Sequence, residues 1–520
     1  MIHGKNFIGQ QLSAQGASTF NGYDIANDTA IPIDFYEATP QEIDAAIQKA
    51  NTAFGIYKNK TGKEKAAFLN TIAAELEALD TLLIETASKE SGLPIARITG
   101  ERGRTTGQLR LFAQMLEEGS WVNAIIDTAI PDRVPMPRSD IRQMQTAIGP
   151  VAIFGASNFP LAFSVAGGDT VSALAAGCSI VFKAHPAHPA TCELVAGAII
   201  NAAQKCNMPD GVFSLVHGIS NEIGATLVSH PQIKAVGFTG SFKGGKALYD
   251  LVVQRKEPIP IFAEMGSVNP VVFLPEIIEQ KYDQLAESFA ASVVLGAGQF
   301  CTNPGIFLVL KNEFSDYFIS ALQKAISTKP SVSLLTSNIQ KAYCNGIQQQ
   351  RQISDAVGLT DFDGSTPLPH LLQISAKAAI QNPILTEEVF GPSTVAIVAD
   401  NMEELIQCCQ ELQSQLTASV HGTDAELKNA IDLLEVLQLK SGRLIINGYP
   451  TGVEVGHAMV HGGPFPASTD VRSTSVGTQA IYRFTRPVCL QDFPDYLLPD
   501  ELKADNPLGI TRKLNGVVAQ

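Results

Sequence analysis

Cysteine is scarce in this chain, and long apolar runs are missing. The eight cysteines among 520 residues form no C-x-x-C pair and have no regular spacing, which argues against a disulfide framework or a zinc site. The longest apolar stretch, 161–184, contains Gly167, Gly168 and Asp169, so it is not typical of a membrane span. The N-terminus has no basic stretch followed by an apolar run. We therefore expect no signal peptide and a reducing, cytoplasmic location.

Basic residues are the minority among the charged ones. A net charge of -14 and a pI near 5.2 argue against nucleic acid or an anionic membrane as a partner. Apolar residues make up 45% and charged residues 17% of the chain, which is typical of a globular protein. The length exceeds that of a single compact core, so we expect two or more domains.

Short apolar runs alternate with helical segments in the middle of the chain. The runs are 150–155, 179–183, 212–216 and 234–239. This alternation predicts a parallel sheet covered by helices on both faces, and such sheets bind ligands at the carboxyl ends of their strands. The candidate site residues at those ends are Asn158, Lys183, His217 and the turn Thr239-Gly240-Ser241.

The flanking segments have other patterns. Apolar spacing of three and four residues predicts helices in the first part, and 270–450 mixes apolar strands with amphipathic helices, which indicates a second α/β domain. The polar stretch 127–143 is typical of an exposed arm. The tail 479–490 alternates like an edge strand, which predicts pairing with another chain.

Cys301 differs from the other cysteines in its surroundings. It lies in the turn G-A-G-Q-F-C-T-N-P-G (296–305), where backbone amides can point at its sulfur and favour the reactive thiolate. The alternative is a structural turn cysteine. Glu264 follows an apolar strand and is a candidate general base with a raised pKa, or a carboxylate simply capped by loop amides.

Two further patterns suggest ligands. The segment G-S-F-K-G-G-K-A (240–247) resembles a phosphate-binding loop but ends in Ala247, so ATP chemistry is not expected. Its glycine turn still opens a helix, which leaves dinucleotide binding and a plain turn as alternatives. Two histidine pairs, 185/188 and 457/461, have no cluster of carboxylates or cysteines nearby in the sequence. We interpret them as loop histidines and predict no metal site.

Six motifs in order resemble the NAD(P)-dependent aldehyde dehydrogenase superfamily over roughly 30–490. They are N-F-P (158–160), K-A-H-P (183–186), F-T-G-S (238–241), E-M-G-S-V-N-P (264–270), G-Q-F-C (298–301) and E-E-V-F-G-P (387–392). The resemblance implies an α/β fold with a Rossmann-type cofactor domain (1–126 and 147–263), a catalytic thiol domain (264–470) and a β-strand oligomerisation arm (127–146 and 471–495). It also implies a homodimer or homotetramer.

The same resemblance assigns roles to single residues. Cys301 would be the nucleophile, Glu264 the general base, and Asn158 an oxyanion donor together with the backbone N–H of Cys301. The cofactor residues would be Lys183, Thr239, Gly240, Ser241, Glu388 and Phe390. The implied reaction oxidises an aldehyde to an acid through a thiohemiacetal and a thioester on Cys301.

The sequence specifies the cofactor and the substrate less well than the catalytic residues. Pro186 stands where the superfamily places a carboxylate that binds the ribose 2′-hydroxyl, which admits NADP as well as NAD and favours NADP. Arg102, Arg104 and Arg110 lie in a helical stretch that precedes L-F-A-Q-M-L (111–116), and Arg104 and Arg110 are candidates for binding a substrate carboxylate. The alternative is a solvated helix face or an ion pair.

Details of the motifs are most similar to the branch that oxidises 2,5-dioxovalerate (α-ketoglutaric semialdehyde) to 2-oxoglutarate. A long-chain fatty aldehyde is the alternative substrate. Two other classes remain open. One is an enzyme that passes its thioester to coenzyme A or reduces an acyl group, and the other is a non-catalytic protein with this fold. The presence of Glu264, Cys301 and Asn158 together argues against both.

Overall fold

The computed structural model describes residues 2–330 and 333–519. Its strands, in chain order, are β1 (Asn6–Ile8), β2 (Gln11–Ser13), β3 (Thr19–Asp24), β4 (Thr29–Tyr36), β5 (Ile125–Asp127), β6 (Ile141–Ala147), β7 (Val151–Phe154), β8 (Ile180–Lys183), β9 (Phe213–Val216), β10 (Ala235–Thr239), β11 (Ile261–Glu264), β12 (Val271–Phe273), β13 (Ile306–Leu310), β14 (Val357–Gly358), β15 (His370–Ser375), β16 (Ser393–Ala399), β17 (Gln415–His421), β18 (Ser441–Ile446), β19 (Thr485–Gln491), β20 (Arg512–Leu514) and β21 (Val517–Ala519).

Helices connect most of these strands. In chain order they are α1 (Pro40–Tyr57), α2 (Gly62–Ala78), α3 (Asp80–Ser91), α4 (Ile95–Glu118), α5 (Gly168–Ala176), α6 (Pro189–Lys205), α7 (Asn221–Ser229), α8 (Phe242–Val253), α9 (Pro275–Val294), α10 (Glu313–Ser327), α11 (Ser337–Arg351), α12 (Ala376–Gln381), α13 (Met402–Glu411), α14 (Asp424–Asn429) and α15 (Ile431–Lys440). No helix in the described part of the chain is long and apolar enough to cross a membrane.

The first sheet contains the strands that the alternation predicts, each within one residue of the expected limits. Its order over the described residues is β11-β10-β7-β8-β9-β1-β2. The strands from β11 to β9 are parallel, and β1 pairs antiparallel with β9. Separate apolar cores cover the two faces, so both faces are buried, as a parallel sheet with crossover helices requires.

The second sheet lies in the later part of the chain. Its order over the described residues is β14-β15-β16-β13-β12-β17-β18, parallel except for the antiparallel end strand β14. Two apolar cores cover its faces. The predicted α/β class is confirmed: a Rossmann-type sheet is followed by a second sheet in an α/β arrangement.

A third sheet contains strands of the predicted arm and tail, and it corrects the starting residue of the tail strand. Its order is β19-β6-β5-β20-β21 across the part of the chain that the structure describes. The predicted tail strand 479–490 begins too early, because Thr478–Phe484 is a 3-10 helix and the strand is Thr485–Gln491. That strand pairs antiparallel with β6 of the same chain, so one of its edges is already occupied. The residue limits of the three domains stay a prediction.

Candidate active site

The strand register of the first sheet brings several candidate residues to one edge. Glu264 ends β11 and is paired with Thr239, which ends β10. Lys183 ends β8 and is paired with Phe154, which ends β7 four residues before Asn158. Because parallel strands end at the same edge, the sheet presents all of these residues on one side.

The loop that carries Cys301 is attached to this edge by side-chain amides. Asn158 donates from Nδ2 to the carbonyl oxygen of Gln299, 2.9 Å away. Asn269 donates from Nδ2 to the carbonyl oxygen of Cys301, also 2.9 Å away. Gly298 has a φ of +66°, and a Cβ there would lie 2.3 Å from the carbonyl group of Gly391. Only glycine permits this close approach, so the loop has a fixed path.

His461 completes a cluster with Cys301 and Glu264. Its Nε2 lies 2.8 Å from Oε1 of Glu264 and 3.5 Å from Sγ of Cys301. The imidazole is 1% and the carboxylate 4% exposed. Ser475 donates a short hydrogen bond to Oε2 of Glu264, and Oε1 of Glu264 faces Nε2 of His461. A thiol, an imidazole and a carboxylate in contact can exchange a proton.

The electrostatics of this cluster correct two expectations. Burial alone would raise the pKa of Glu264, but His461, Ser475 and Cys301 outweigh it and hold that pKa below its usual value. The predicted raised pKa is therefore wrong, and Glu264 is ionised at neutral pH. Burial, and then the neighbouring Glu264 charge, raise the pKa of Cys301 well above its usual range. The prediction of a thiolate favoured by backbone amides is wrong for this arrangement, in which Cys301 is a thiol that needs a proton acceptor.

His461 lies in a loop, as predicted, but its contact with Glu264 and Cys301 was not predicted. His457 is exposed, and its Nδ1 lies 3.1 Å from Oγ1 of Thr478, whereas His461 is buried in contact with Glu264 and Cys301. Sequence spacing could not find it, because 160 residues separate it from Cys301. The ligand atoms of Glu264, Cys301 and His461 all lie within 4.8 Å of one another, so the cluster could also hold a metal ion.

The other histidine pair has a different position. The rings of His185 and His188 stack with their centroids 5.2 Å apart. His188 is buried, with Nε2 3.0 Å from the carbonyl oxygen of Ala156 and Nδ1 3.2 Å from Sγ of Cys192. His217, at the end of β9, is completely buried against Phe35. These side chains pack within the protein and are not part of the cluster.

The predicted cofactor residues lie along the same sheet edge and in the second half of the chain. Ser241 caps α8, and its Oγ accepts from the backbone N–H of Gly244, which leaves the amides at the start of the helix for an anion. Burial lowers the pKa of Lys183 to about 8. Glu388 has an exposed side chain beside the backbone N–H of Ser267, 3.4 Å away, and Phe390 follows in the same segment.

The three arginines of α4 have different environments. Arg102 lies 3.5 Å from a carboxylate oxygen of Asp80. Arg110 makes two hydrogen bonds of 2.7 Å to the carboxylate of Glu77, and both side chains are more than two-fifths exposed. Arg104 is largely buried, and its guanidinium lies 5.1 Å from the Phe163 ring centroid. Only Arg104 of the two predicted substrate residues is directed towards the cluster.

Known proteins resemble this chain over almost its whole length. The model of the aldehyde dehydrogenase family matches residues 13–485. Alpha-ketoglutaric semialdehyde dehydrogenase of Acinetobacter baylyi is 47% identical over 100% of this chain and 99% of its own length. Alpha-ketoglutaric semialdehyde dehydrogenase 2 of Azospirillum brasilense is 46% identical over 99% of both chains.

Solved structures share the fold at lower sequence identity. Gamma-glutamyl-gamma-aminobutyraldehyde dehydrogenase of Burkholderia cenocepacia superposes with a TM-score of 0.80 at 22% identity, covering 94% of this chain and 97% of its own. Betaine aldehyde dehydrogenase of Staphylococcus aureus, in complex with NAD+, has a TM-score of 0.80 at 18% identity, covering 95% and 97%. The family match, the two full-length relatives and the shared fold lead to one conclusion: the chain belongs to the aldehyde dehydrogenase family.

Proposed function

We propose that this protein oxidises 2,5-dioxovalerate to 2-oxoglutarate with NADP+ or NAD+, through a thioester on Cys301. The observation that carries the proposal is the contact of Cys301, Glu264 and His461 at the carboxyl edge of the first sheet. The substrate follows from the names of the two relatives at 46 and 47% identity. A long-chain aldehyde is not favoured, because neither of these relatives bears such a name.

In the first half of the reaction, Cys301 attacks the aldehyde carbon. Its thiol proton passes to the His461–Glu264 pair, whose Nε2 lies 3.5 Å from the sulfur. The carbonyl oxygen becomes an oxyanion, which the second N–H of the Asn158 amide and the backbone N–H of Cys301 stabilise. Since one Asn158 N–H already donates to Gln299, the amide has a fixed orientation before substrate arrives.

The residues of the first sheet edge support a dinucleotide. The ammonium of Lys183 would bind the adenosine ribose, and the turn Thr239–Ser241 at the start of α8 would lie near the pyrophosphate. Glu388 and Phe390 would contact the nicotinamide end. NAD(P)+, when bound, supplies the acceptor to which the aldehyde carbon loses its hydride, which converts the thiohemiacetal on Cys301 into a thioester. Pro186 brings no carboxylate against a 2′-phosphate, so we favour NADP+ and expect NAD+ to be accepted.

The second half of the reaction releases the acid. Glu264, ionised and buried beside Cys301, accepts a proton from a water molecule that attacks the thioester. The Cys301 thiolate then leaves and regains a proton. A base next to the thioester shortens its lifetime, which argues for hydrolysis and against transfer to coenzyme A.

Replacing His461 by asparagine is expected to slow the first appearance of NAD(P)H by about 100-fold, since a positioned proton acceptor contributes on that order. The pKa of the Cys301 thiol is raised by burial and by Glu264. Without His461, deprotonation depends more on solvent, so the rate of the variant should rise more steeply with pH through the alkaline range. Stopped-flow absorbance of NAD(P)H between pH 6 and 10 measures both effects.

His457→Asn is the matched control, because His457 is four residues away, exposed and in contact with Thr478 instead of Cys301. We expect its rate and pH profile to equal those of the unmodified protein. If His461→Asn behaves like this control, His461 takes no part in proton transfer.

A panel of aldehydes assayed with both cofactors tests the proposed reaction as a whole. The panel comprises 2,5-dioxovalerate, pentanal, hexanal and decanal, each with NAD+ and with NADP+. We expect the highest kcat/KM for 2,5-dioxovalerate with NADP+, and 2-oxoglutarate as the product. A higher kcat/KM for decanal would reject the proposed substrate while leaving the aldehyde chemistry in place.

We further propose a homodimeric or homotetrameric enzyme of the cytoplasm. The support for assembly is the third sheet, whose end strand β19 is paired on one side with β6. All eight cysteines are free thiols, which suits a reducing compartment.

A further inference from the structure

We propose that Arg104 determines substrate specificity by binding the carboxylate at the far end of the substrate. This inference rests on the proposed oxidation of 2,5-dioxovalerate at Cys301 and assigns the residue that distinguishes this acid from an uncharged aldehyde. Arg104 lies on α4, outside the catalytic cluster, and lines an open cavity between its own helix and the loop 453–455.

The first observation is a buried positive charge without a direct counter-charge. No carboxylate of residues 2–330 and 333–519 lies within the ion-pair distance of 4.0 Å from the Arg104 guanidinium. Its Nη1 is buried and has no hydrogen-bond partner among the described residues, and Nη2 makes only a long hydrogen bond of 3.4 Å to the carbonyl oxygen of Val453. Burying a charge without a counter-charge costs folding free energy. An anionic ligand would supply the counter-charge that Arg104 lacks.

Nearby acids do not fill this role. Glu101, one turn earlier on α4, uses Oε1 to accept from the backbone N–H groups of Leu161 and Ala162. The other carboxylate oxygen of Glu101, Oε2, lies 4.0 Å from Nη2 of Arg97. Glu454 is exposed and acts on Arg104 only as a more distant charge.

The second observation is the position of Arg104 relative to the thiol. Its guanidinium lies 5.1 Å from the Phe163 ring centroid, and the Phe163 ring lies 5.9 Å from the ring of His461, which contacts Cys301. One aromatic ring therefore separates Arg104 from the catalytic cluster. The end carbons of a five-carbon chain are roughly 5 Å apart when extended, so the carboxylate of an acid attached at Cys301 would lie towards Phe163, whose ring contacts the guanidinium.

The third observation is the cavity itself. It has a volume of about 510 Å³ and is lined by one face of α4, from Arg104 to Gln114, and by Val453–Val455. The loop is held from its other side by Arg443, which donates to the carbonyl oxygens of Pro450 and Gly452 at 2.7 and 3.2 Å. The wall opposite Arg104 is thus fixed, which favours a defined position for a bound carboxylate.

Arg110 provides a matched control on the same helix. It lines the same cavity but is already paired with the carboxylate of Glu77 at 2.7 Å. We therefore expect Arg110→Gln to leave kcat/KM within a factor of about two for every aldehyde, as for a surface ion pair. The experiment measures kcat/KM for 2,5-dioxovalerate and for pentanal, an uncharged aldehyde of the same length, in the unmodified protein, Arg104→Gln, Arg104→Lys and Arg110→Gln.

We expect Arg104→Gln to lower kcat/KM for 2,5-dioxovalerate by about 100-fold, mainly through KM, because a charged hydrogen-bonded pair is lost. Its kcat/KM for pentanal should change by less than about threefold, because that substrate has no carboxylate to lose. Inhibition by 2-oxoglutarate should weaken in parallel. Arg104→Lys keeps the charge but not the fork of donors, so a loss of about 10-fold confined to the acid is expected.

The outcomes separate this inference from the proposed function. If the unmodified protein prefers 2,5-dioxovalerate but Arg104→Gln, with unchanged thermal stability, loses activity on both aldehydes equally or on neither, the Arg104 assignment is overturned and the reaction stands. If the unmodified protein shows no preference for the acid, the proposed substrate is rejected together with the assignment. If Arg104→Gln does not fold, Arg104→Lys provides the test. A loss of kcat/KM confined to 2,5-dioxovalerate supports the assignment, and an equal loss on both aldehydes overturns it.

Discussion

Replacing Cys301 by alanine is expected to abolish aldehyde-dependent NAD(P)H formation, with a loss of about 10⁴-fold or more in kcat, as for the nucleophile of other covalent enzymes. The substitution removes the only atom that can form the thiohemiacetal. The hydrogen bond from Asn269 goes to the backbone carbonyl of residue 301, so the loop keeps its anchor. Lys183 and the turn Thr239–Ser241 lie on other elements, and the affinity for NADP+ should stay within about twofold, measured by calorimetry.

Cys489→Ala is the control for this experiment. Cys489 lies on β19 of the third sheet, is exposed and has no contact with the catalytic cluster. We expect full activity from this variant. Turnover of 2,5-dioxovalerate by Cys301→Ala at a rate near that of the control would mean that Cys301 is not the nucleophile.

Replacing Glu264 by glutamine is expected to slow acid formation by about 10²- to 10⁴-fold, the usual contribution of a general base. Glutamine keeps the shape of the side chain and can still accept a hydrogen bond from Ser475, but it cannot take a proton from water. Formation of the thioester depends on Cys301 and His461 and should be slowed less. Stopped-flow absorbance should therefore show a burst of NAD(P)H, close to one per active site, followed by a slow steady state.

The pH dependence of this effect has a defined sign. The pKa of Glu264 lies below its usual value because His461 and its hydrogen bonds outweigh burial. The base is thus ionised at neutral pH and is lost only as the pH falls through that lowered pKa, so steady turnover of the unmodified protein should decline in acid. An unchanged steady rate and no burst in Glu264→Gln would contradict the assignment of Glu264 as the base for hydrolysis.

The sequence predicts the first sheet well and the third sheet poorly, for a physical reason. Strands such as Val151–Phe154 and Ile180–Lys183 are buried on both faces, and this produces short apolar runs that stand out between helices. The tail 479–490 mixes apolar and polar residues in a pattern like that of an edge strand. Only its second half pairs with β6, because residues 478–484 pack as a 3-10 helix against α5. The alternation alone does not distinguish these two structures.

The sequence predicts the site residues that stand in short local motifs, and it misses those that do not. Cys301, Glu264 and Asn158 each stand in a short motif, and the order of these motifs identifies the family. His461 lies 160 residues after Cys301 and belongs to no motif that marks it. Likewise, Arg104 and Arg110 have the same local pattern. Only the fold places Glu77 beside Arg110 and leaves Arg104 without a direct partner.

The most direct test of the thioester on Cys301 is mass spectrometry of the Glu264→Gln protein, in which hydrolysis is slow. The protein is mixed with 2,5-dioxovalerate and NADP+, quenched in acid at the end of the burst, digested and analysed. We expect one acyl group, of the mass of 2-oxoglutarate less water, on the peptide that contains Cys301, in an amount equal to the NADPH formed. An unmodified Cys301 peptide after a full burst, or an acyl group on another cysteine, would contradict it.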